Sequence, residues 1–84
     1  MYKVKVYITL RKSVLDPQGT ATKKSLHAMS FSEVQDVRIG KMIELTIEKK
    51  DQNIEQTVDD MCQRLLVNTV IEDYRFEIEE VSTQ

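Results

Sequence analysis

The side chains that most often carry out catalysis are scarce in this chain and are not spaced for it. His27 is the only histidine and Cys62 the only cysteine among 84 residues, so a Cys-His pair would have to form across the fold. Cys62 falls on an apolar helical stripe, which favours core packing, and His27 lies near two lysines, which favours a solvated side chain. A single cysteine also excludes an internal disulfide and a metal site built from several cysteines.

Carboxylates and glycines are no better placed for chemistry. Asp59 and Asp60 are neighbours on a predicted helix and point apart, while Glu72 and Asp73 alternate across a predicted strand. Paired carboxylates for acid-base catalysis are therefore not indicated. Two glycines in the whole chain are too few to build a phosphate-binding loop. We predict no catalytic, cofactor-binding or metal-binding residue.

The one cationic pair with a possible binding role flanks a glycine. Arg38 and Lys41, on either side of Gly40, suit a phosphate or the carboxylate of a partner. An ordinary exposed salt bridge is the alternative, and the residues alone leave both open.

Hydrophobic periodicity predicts the elements that must position these residues. Tyr2, Val4, Val6, Ile8 and Leu10 alternate with polar residues, which predicts the first strand.

A helix is predicted from about Pro17 to Met29. Asp16 suits its N-cap and Pro17 its first position. Its apolar stripe is thin, so another surface is expected to cover it. Gly19 in the first turn indicates a close approach of the backbone to another surface, or a tolerated glycine.

Residues 34–48 keep one alternating pattern, which predicts a single long strand. A two-residue hairpin at Gly40-Lys41 would place apolar and charged side chains on the same face, so we favour a continuous strand bent at Gly40. Fifteen residues at about 3.3 Å each outreach any partner within a chain of this size. Part of the strand is therefore expected to pair with another copy or another protein.

A second, clearly amphipathic helix follows, for which Asn53 and Gln56 have the spacing of a capping box. Its predicted apolar stripe comprises Ile54, Val58, Met61, Cys62, Leu65 and Leu66. Asn68 suits a left-handed exit from this helix. Tyr74, Phe76 and Ile78 point inward from a last predicted strand.

These elements predict one α+β domain over residues 1–84. The order β-α-β-α-β, with a long bent middle strand, implies a mainly antiparallel sheet with two helices on one face, a relative of the ferredoxin-like arrangement. A net charge of -2, 40% hydrophobic residues and 31% charged residues are typical of a globular protein. The alternating N-terminus does not resemble a signal peptide, so we expect a cytoplasmic protein without a membrane segment.

Charge is divided unevenly, which leaves a nucleic-acid-binding domain as an alternative. Residues 1–42 carry eight Lys or Arg against three Asp or Glu, and residues 43–84 carry four against eleven. Because the basic residues alternate with core residues, we favour cross-strand charge pairing on a solvated sheet face. A homo-oligomeric interaction domain of another kind is a further alternative. A small acyl phosphate hydrolase would need a phosphate-binding loop.

Several segments resemble the PurS family, the small subunit of bacterial phosphoribosylformylglycinamidine (FGAM) synthase. The resemblance covers nearly the whole chain and lies in Val14-Leu15-Asp16-Pro17-Gln18-Gly19, in Val37-Arg38-Ile39-Gly40-Lys41, in Met61-Cys62 and in Leu65 through Tyr74. Two departures are visible, and both affect loops. Ser30 stands where the family often has glycine, and Val67 and Thr69 stand where alanine and proline are common.

The resemblance implies a non-catalytic subunit in purine biosynthesis that forms a homodimer or a higher oligomer. It would join a glutaminase subunit to a large synthetase subunit and assist the transfer of ammonia between them. ATP and Mg would be used by the complex and bound elsewhere than on this chain. The expected partner contacts are Asp16, Pro17, Gln18, Gly19, Arg38, Gly40, Lys41, Asn68, Glu72, Asp73 and Tyr74.

Overall fold

Three strands and two helices alternate along the chain in this computed structural model, which describes residues 1–50 and 52–81. The elements are β1 (Tyr2–Leu10), α1 (Pro17–Ala28), β2 (Gly40–Ile47), α2 (Ile54–Met61) with a π-helical turn at Cys62–Leu66, and β3 (Glu72–Glu80). The α+β class and the order of elements are confirmed.

The strands form one antiparallel sheet in the order β2-β1-β3. Val6 at the centre of β1 lies opposite Ile43 of β2 and Phe76 of β3. This register gathers the apolar side chains of all three strands on one face, as their alternation predicts.

Helix α2 covers that apolar face. The buried core contains Val4, Val6, Ile8, Val58, Cys62 and Val67. Partly buried residues of all three strands and of α2 surround it, and α1 contributes none of them. Only α2 therefore packs on the sheet within one chain, because the thin stripe of α1 has little apolar surface to bury.

Helix α1 stands away from this core. The chain measures 52 × 31 × 14 Å with a radius of gyration of 16.8 Å, whereas a compact chain of this length would have about 12 Å. Among the residues of α1, only Gly19 is buried. A helix of 12 residues is marginal without packing, so the expectation that another surface covers it stays a prediction.

Strand β2 is shorter than predicted, because it begins at Gly40 and not at Val34. Gly40 and Lys41 pair with Thr9 and Ile8 of β1, so the hairpin alternative is wrong as well. The ladder stops at the pair of Thr9 and Gly40, because the amide of the next residue, Ile39, donates to Asp16. Residues 34–39, which belong to no helix or strand, are called the edge segment below.

The second helix changes geometry near its end, and this corrects the predicted core. The amide of Val67 donates to the carbonyl of Cys62 at 2.9 Å, which closes a wider i to i+5 turn. Leu66 still packs against the core, but Leu65 is rotated outward and is 83% exposed. The predicted helical stripe is therefore wrong at Leu65.

The other face of the sheet is charged and open. Lys5 of β1 lies opposite Glu44 of β2 and Glu77 of β3, which agrees with the predicted cross-strand charge pairing. Arg75 sits 4.2 Å from the centroid of the Tyr7 ring, and the Tyr7 hydroxyl donates to Glu77 Oε2 at 3.3 Å. The aromatic side chain that a nucleic-acid platform would need is thus covered by an arginine.

Candidate interaction site at one end of the sheet

Most of the predicted contact residues meet at one end of the sheet. Thr9 pairs with Gly40 at the start of β2, and Leu10 pairs with Glu72 at the start of β3. Antiparallel pairing on both sides of β1 therefore brings its end together with the starts of the other two strands. The shallow cleft found there is lined by Ile8, Leu10, Asp16, Gln18, Ile39, Gly40, Lys41 and Glu72.

Asp16 joins two segments that are distant in sequence. Its Oδ1 accepts the amide of Gly19 at 3.0 Å, which caps α1 as predicted. Its Oδ2 accepts the amide of Ile39 at 2.9 Å. The side chain is only 6% exposed. The hydrogen bond from Ile39, then that from Gly19, and the nearby Arg38 charge lower the pKa of the Asp16 carboxyl below its ordinary value.

Gly19 is a site of close backbone approach and not merely a tolerated glycine. A Cβ atom at this position would lie 2.2 Å from the carbonyl oxygen of Val37. The first turn of α1 therefore rests directly on the edge segment.

Arg38 is used inside the chain. Its guanidinium donates to the carbonyl oxygens of Leu10 at 2.9 Å and Arg11 at 2.8 Å. Arg11 in turn donates to the carbonyl of Thr69 at 2.5 Å and lies 3.6 Å from Asp73. The arginine that the sequence offered for a phosphate or a partner thus fastens the edge segment to the end of β1.

Lys41, the other cation of the flanking pair, is exposed to solvent, as Arg38 is. Its Nζ lies 4.0 Å from Glu72 Oε2, with more than half of the Lys41 side chain exposed. Between the two cations, a Cβ on Gly40 would lie 2.3 Å from the carbonyl of Ile8, so the backbone at this point leaves no room for a side chain.

The turn that leads into β3 is built by Asn68 and Glu72. The amide of Asn68 donates to Glu72 Oε1 at 2.8 Å, and Asn68 Oδ1 accepts the amide of Val70 at 3.2 Å. Asn68 does not have a positive φ angle, so the predicted left-handed exit is wrong. Its side chain shapes the turn by hydrogen bonding instead.

Tyr74 lies away from the cleft, on the face covered by α2. Its hydroxyl donates to Asp59, and this hydrogen bond is the main cause of a raised pKa for Tyr74. The alternation of β3 places Tyr74 on the inward face, so this signal was already present in the sequence.

Exposed aliphatic side chains near the same end were missed. Val70, in the turn before β3, is 80% exposed, and Leu65 is 83% exposed. Hydrophobic periodicity assigned Leu65 to the core, and no signal in the sequence announces the π-helical turn that exposes it.

Cys62 and His27, the single cysteine and the single histidine of the sequence, lie in different surroundings. Cys62 is buried, and burial raises the pKa of its thiol. His27 Nε2 lies 2.7 Å from the carbonyl of Val34. Across residues 1–50 and 52–81, no group of three His, Cys, Asp or Glu residues is arranged to hold a metal ion. None of the helices described above has the length and apolar character needed to cross a membrane.

Comparison with known sequences gives a consistent result. A family model described as PurS, phosphoribosylformylglycinamidine (FGAM) synthase, matches residues 3–80. The chain is 63% identical over 84 residues to the phosphoribosylformylglycinamidine synthase subunit PurS of Bacillus subtilis, with 100% of both chains covered. It is 53% identical over 78 residues to the subunit of the same name from Synechocystis, covering 92% of this chain and 78% of the other.

Comparison with solved structures agrees. The B. subtilis PurS structure matches with a TM-score of 0.86 and 64% identity, covering 95% of this chain and 100% of that one. A chain in the structure of PurLQS from Thermotoga maritima matches with a TM-score of 0.82 and 29% identity, covering 93% of this chain and 96% of that one.

Proposed function

This chain belongs to the PurS family and is a subunit of phosphoribosylformylglycinamidine synthase in purine biosynthesis, and we propose that it acts there as a non-catalytic bridge. It would join the glutaminase subunit to the ATP-dependent synthetase subunit and assist the transfer of ammonia between them, in the cytoplasm. ATP and Mg would be used by the complex and not held by this chain. The nucleic-acid alternative is not favoured.

The observation that carries this proposal is the similarity to a chain of PurLQS from T. maritima. Support comes from how the polar side chains are used. Asp16, Arg38 and Glu72 hold the ends of the elements together. Side chains committed to such bonds shape a surface and are not available to bind a reacting molecule.

We infer that the chain associates with a second copy along β2 and the edge segment. β1 pairs with only one side of β2, and among the described residues no backbone ladder joins residues 34–38 to another strand. An unpaired edge of this kind invites strand addition.

Partly buried apolar residues support the same inference. Ile43, Leu45 and Ile47 of β2 remain only half-buried on the face that α2 covers. Met29 is 66% exposed, and Phe31 is also exposed. If a second copy packed its own α1 region against β2, the β2 residues and the pair Met29 and Phe31 would both be buried. This burial would add the apolar contact area that a small domain lacks.

The cleft at the end of the sheet is the proposed contact with a larger subunit. Gln18 and Lys41 are its exposed polar members, and Val70 supplies an exposed aliphatic side chain in the nearby turn. This arrangement of polar and apolar groups is typical of a protein interface.

Reconstitution tests the proposal. Purified glutaminase and synthetase subunits would be assayed with and without this chain, first with glutamine and then with free ammonia. We expect the chain to be required for glutamine-driven synthesis and dispensable for ammonia-driven synthesis. If neither reaction depends on the chain, the bridging role is refuted.

A pair of lysine variants tests the cleft. Lys41→Ala should reduce glutamine-driven turnover without unfolding the chain, since among the described residues Lys41 makes only a long contact, to Glu72. Lys50→Ala, in the loop after β2, is the matched control and should have no effect. Equal activity of both variants would remove Lys41 from the interface.

A further inference from the structure

We propose that Asp16 is a positioning residue for self-association, because it holds the edge segment in the arrangement that a second copy recognises. This inference rests on the homodimer proposed above. It assigns to one buried carboxylate a role beyond capping a helix.

First, the two carboxylate oxygens of Asp16 accept hydrogen bonds from different segments. Oδ1 accepts from Gly19 inside α1, and Oδ2 accepts from Ile39 in the edge segment, 23 residues away. A helix cap needs only the first of these bonds. The second bond engages the amide of Ile39, the residue just before β2. It therefore sets the boundary between the edge segment and β2.

The second step is that neighbouring contacts leave the edge segment little freedom around this bond. The missing side chain of Gly19 lets α1 rest on the Val37 carbonyl. Arg38 ties the same stretch to Leu10 and Arg11 at the end of β1. The segment is thus fixed at consecutive residues although no strand of the described chain pairs with it.

The third step is energetic. A segment that is already ordered loses less conformational entropy when it binds than one that must be ordered at that moment. Asp16 is at the centre of the contacts that order the edge segment, and it is itself nearly inaccessible to solvent. Its effect on a partner must therefore pass through the segment and not through direct contact.

Asp16→Asn separates the two roles. Asparagine caps helices as well as aspartate does, so the Gly19 bond should persist. Its side chain offers one acceptor oxygen, so the Ile39 amide would face an NH₂ group. Asp36→Asn is the matched control, because the exposed Asp36 carboxylate lies in the same segment and, within the described part of the chain, accepts only from its neighbour Val37.

The test measures the homodimer dissociation constant of the wild-type chain and both variants by sedimentation equilibrium. It also measures amide hydrogen exchange at Ile39 and Gly19 in dilute, monomeric samples. We expect Asp16→Asn to raise the dissociation constant roughly tenfold, as for loss of one charge-assisted hydrogen bond. Exchange should accelerate at Ile39 and stay unchanged at Gly19, and Asp36→Asn should match the wild type.

Other outcomes would overturn the inference in distinguishable ways. If Asp16→Asn dimerises as well as the wild type, the positioning role fails while the homodimer stands. If protection is lost at Gly19 as much as at Ile39, Asp16 is only a helix cap. A wild-type chain that stays monomeric refutes the homodimer and this inference together. Asp16→Ser, which also keeps a capping oxygen, replaces the asparagine variant if that variant does not fold.

Discussion

Ser30 is expected to limit the stability of the chain, and Ser30→Gly should relieve the limit. The residue follows α1 with a φ angle of 74°, in the left-handed region. The amide of Ser30 donates to His27 at 3.1 Å and that of Phe31 to Leu26 at 2.9 Å. These two bonds form a Schellman motif, in which the residue at Ser30 is usually glycine.

The size of the effect follows from two opposing terms. A residue with a Cβ pays about 1–2 kcal/mol in the left-handed conformation. Glycine removes this cost, but it gives the unfolded chain more conformational entropy, which lowers the free energy of unfolding by about 0.4–1 kcal/mol. The net gain should be roughly 0.5–1 kcal/mol, which corresponds to about 2–8 °C in Tm for a domain of this size.

Urea unfolding and thermal unfolding at one fixed protein concentration are the assays, since self-association would make Tm depend on concentration. Ser30→Ala is the control, because alanine keeps the Cβ and should leave stability nearly unchanged. If the glycine variant is no more stable than the wild type, or if alanine stabilises equally, the left-handed strain at this position is not the cause.

Three further predictions test the packing and ionisation of the site. Gly19→Ala should lower the free energy of unfolding by roughly 1–3 kcal/mol, since its Cβ would lie 2.2 Å from the Val37 carbonyl; an unchanged value in urea unfolding would contradict that contact. The hydrogen bond to Asp59 raises the pKa of Tyr74 above 10.0. The stability that this hydrogen bond contributes is therefore present below pH 10 and is lost as the pH rises through the folded pKa. In a spectrophotometric titration Asp59→Asn should move one tyrosine to lower pH, and superimposable curves would refute the assignment. The pKa of Asp16 lies below 3.8, so the wild type should be more stable than Asp16→Asn by its full margin above pH 3.8. This difference in the free energy of unfolding should shrink as the pH falls through the folded pKa. A difference that stays constant during acid titration would contradict the lowered pKa.

Local signals were sufficient for the first and last strands of the chain and for the helix starts. The alternation in β1 and β3 gives the correct inward faces, because a strand has only two faces and one is apolar. Asp16 and Asn53 cap α1 and α2 as predicted, because a cap depends on residues three positions apart.

Predictions that depended on contacts between distant segments were less successful. The start of β2 depends on the Ile39 amide, which Asp16 occupies from another part of the chain. Arg38, which the sequence offered for a phosphate or the carboxylate of a partner, donates to carbonyl oxygens at the end of β1, and its contact with a partner stays a prediction. The exposure of Leu65 follows from a single i to i+5 bond, and the side-chain pattern there is equally compatible with an ordinary α-helix.

The α+β class, the order of the elements and the apolar face of the sheet follow from local patterns in the sequence, and the family follows from the resemblance to PurS. These properties depend on periodicity, on caps and on segments compared one after another. Only the folded chain shows which polar side chains at the end of the sheet form hydrogen bonds with distant segments. Asp16 and Arg38 hydrogen-bond there to backbone groups of distant segments, because backbone donors and acceptors left unpaired at the ends of distant elements must find partners in three dimensions.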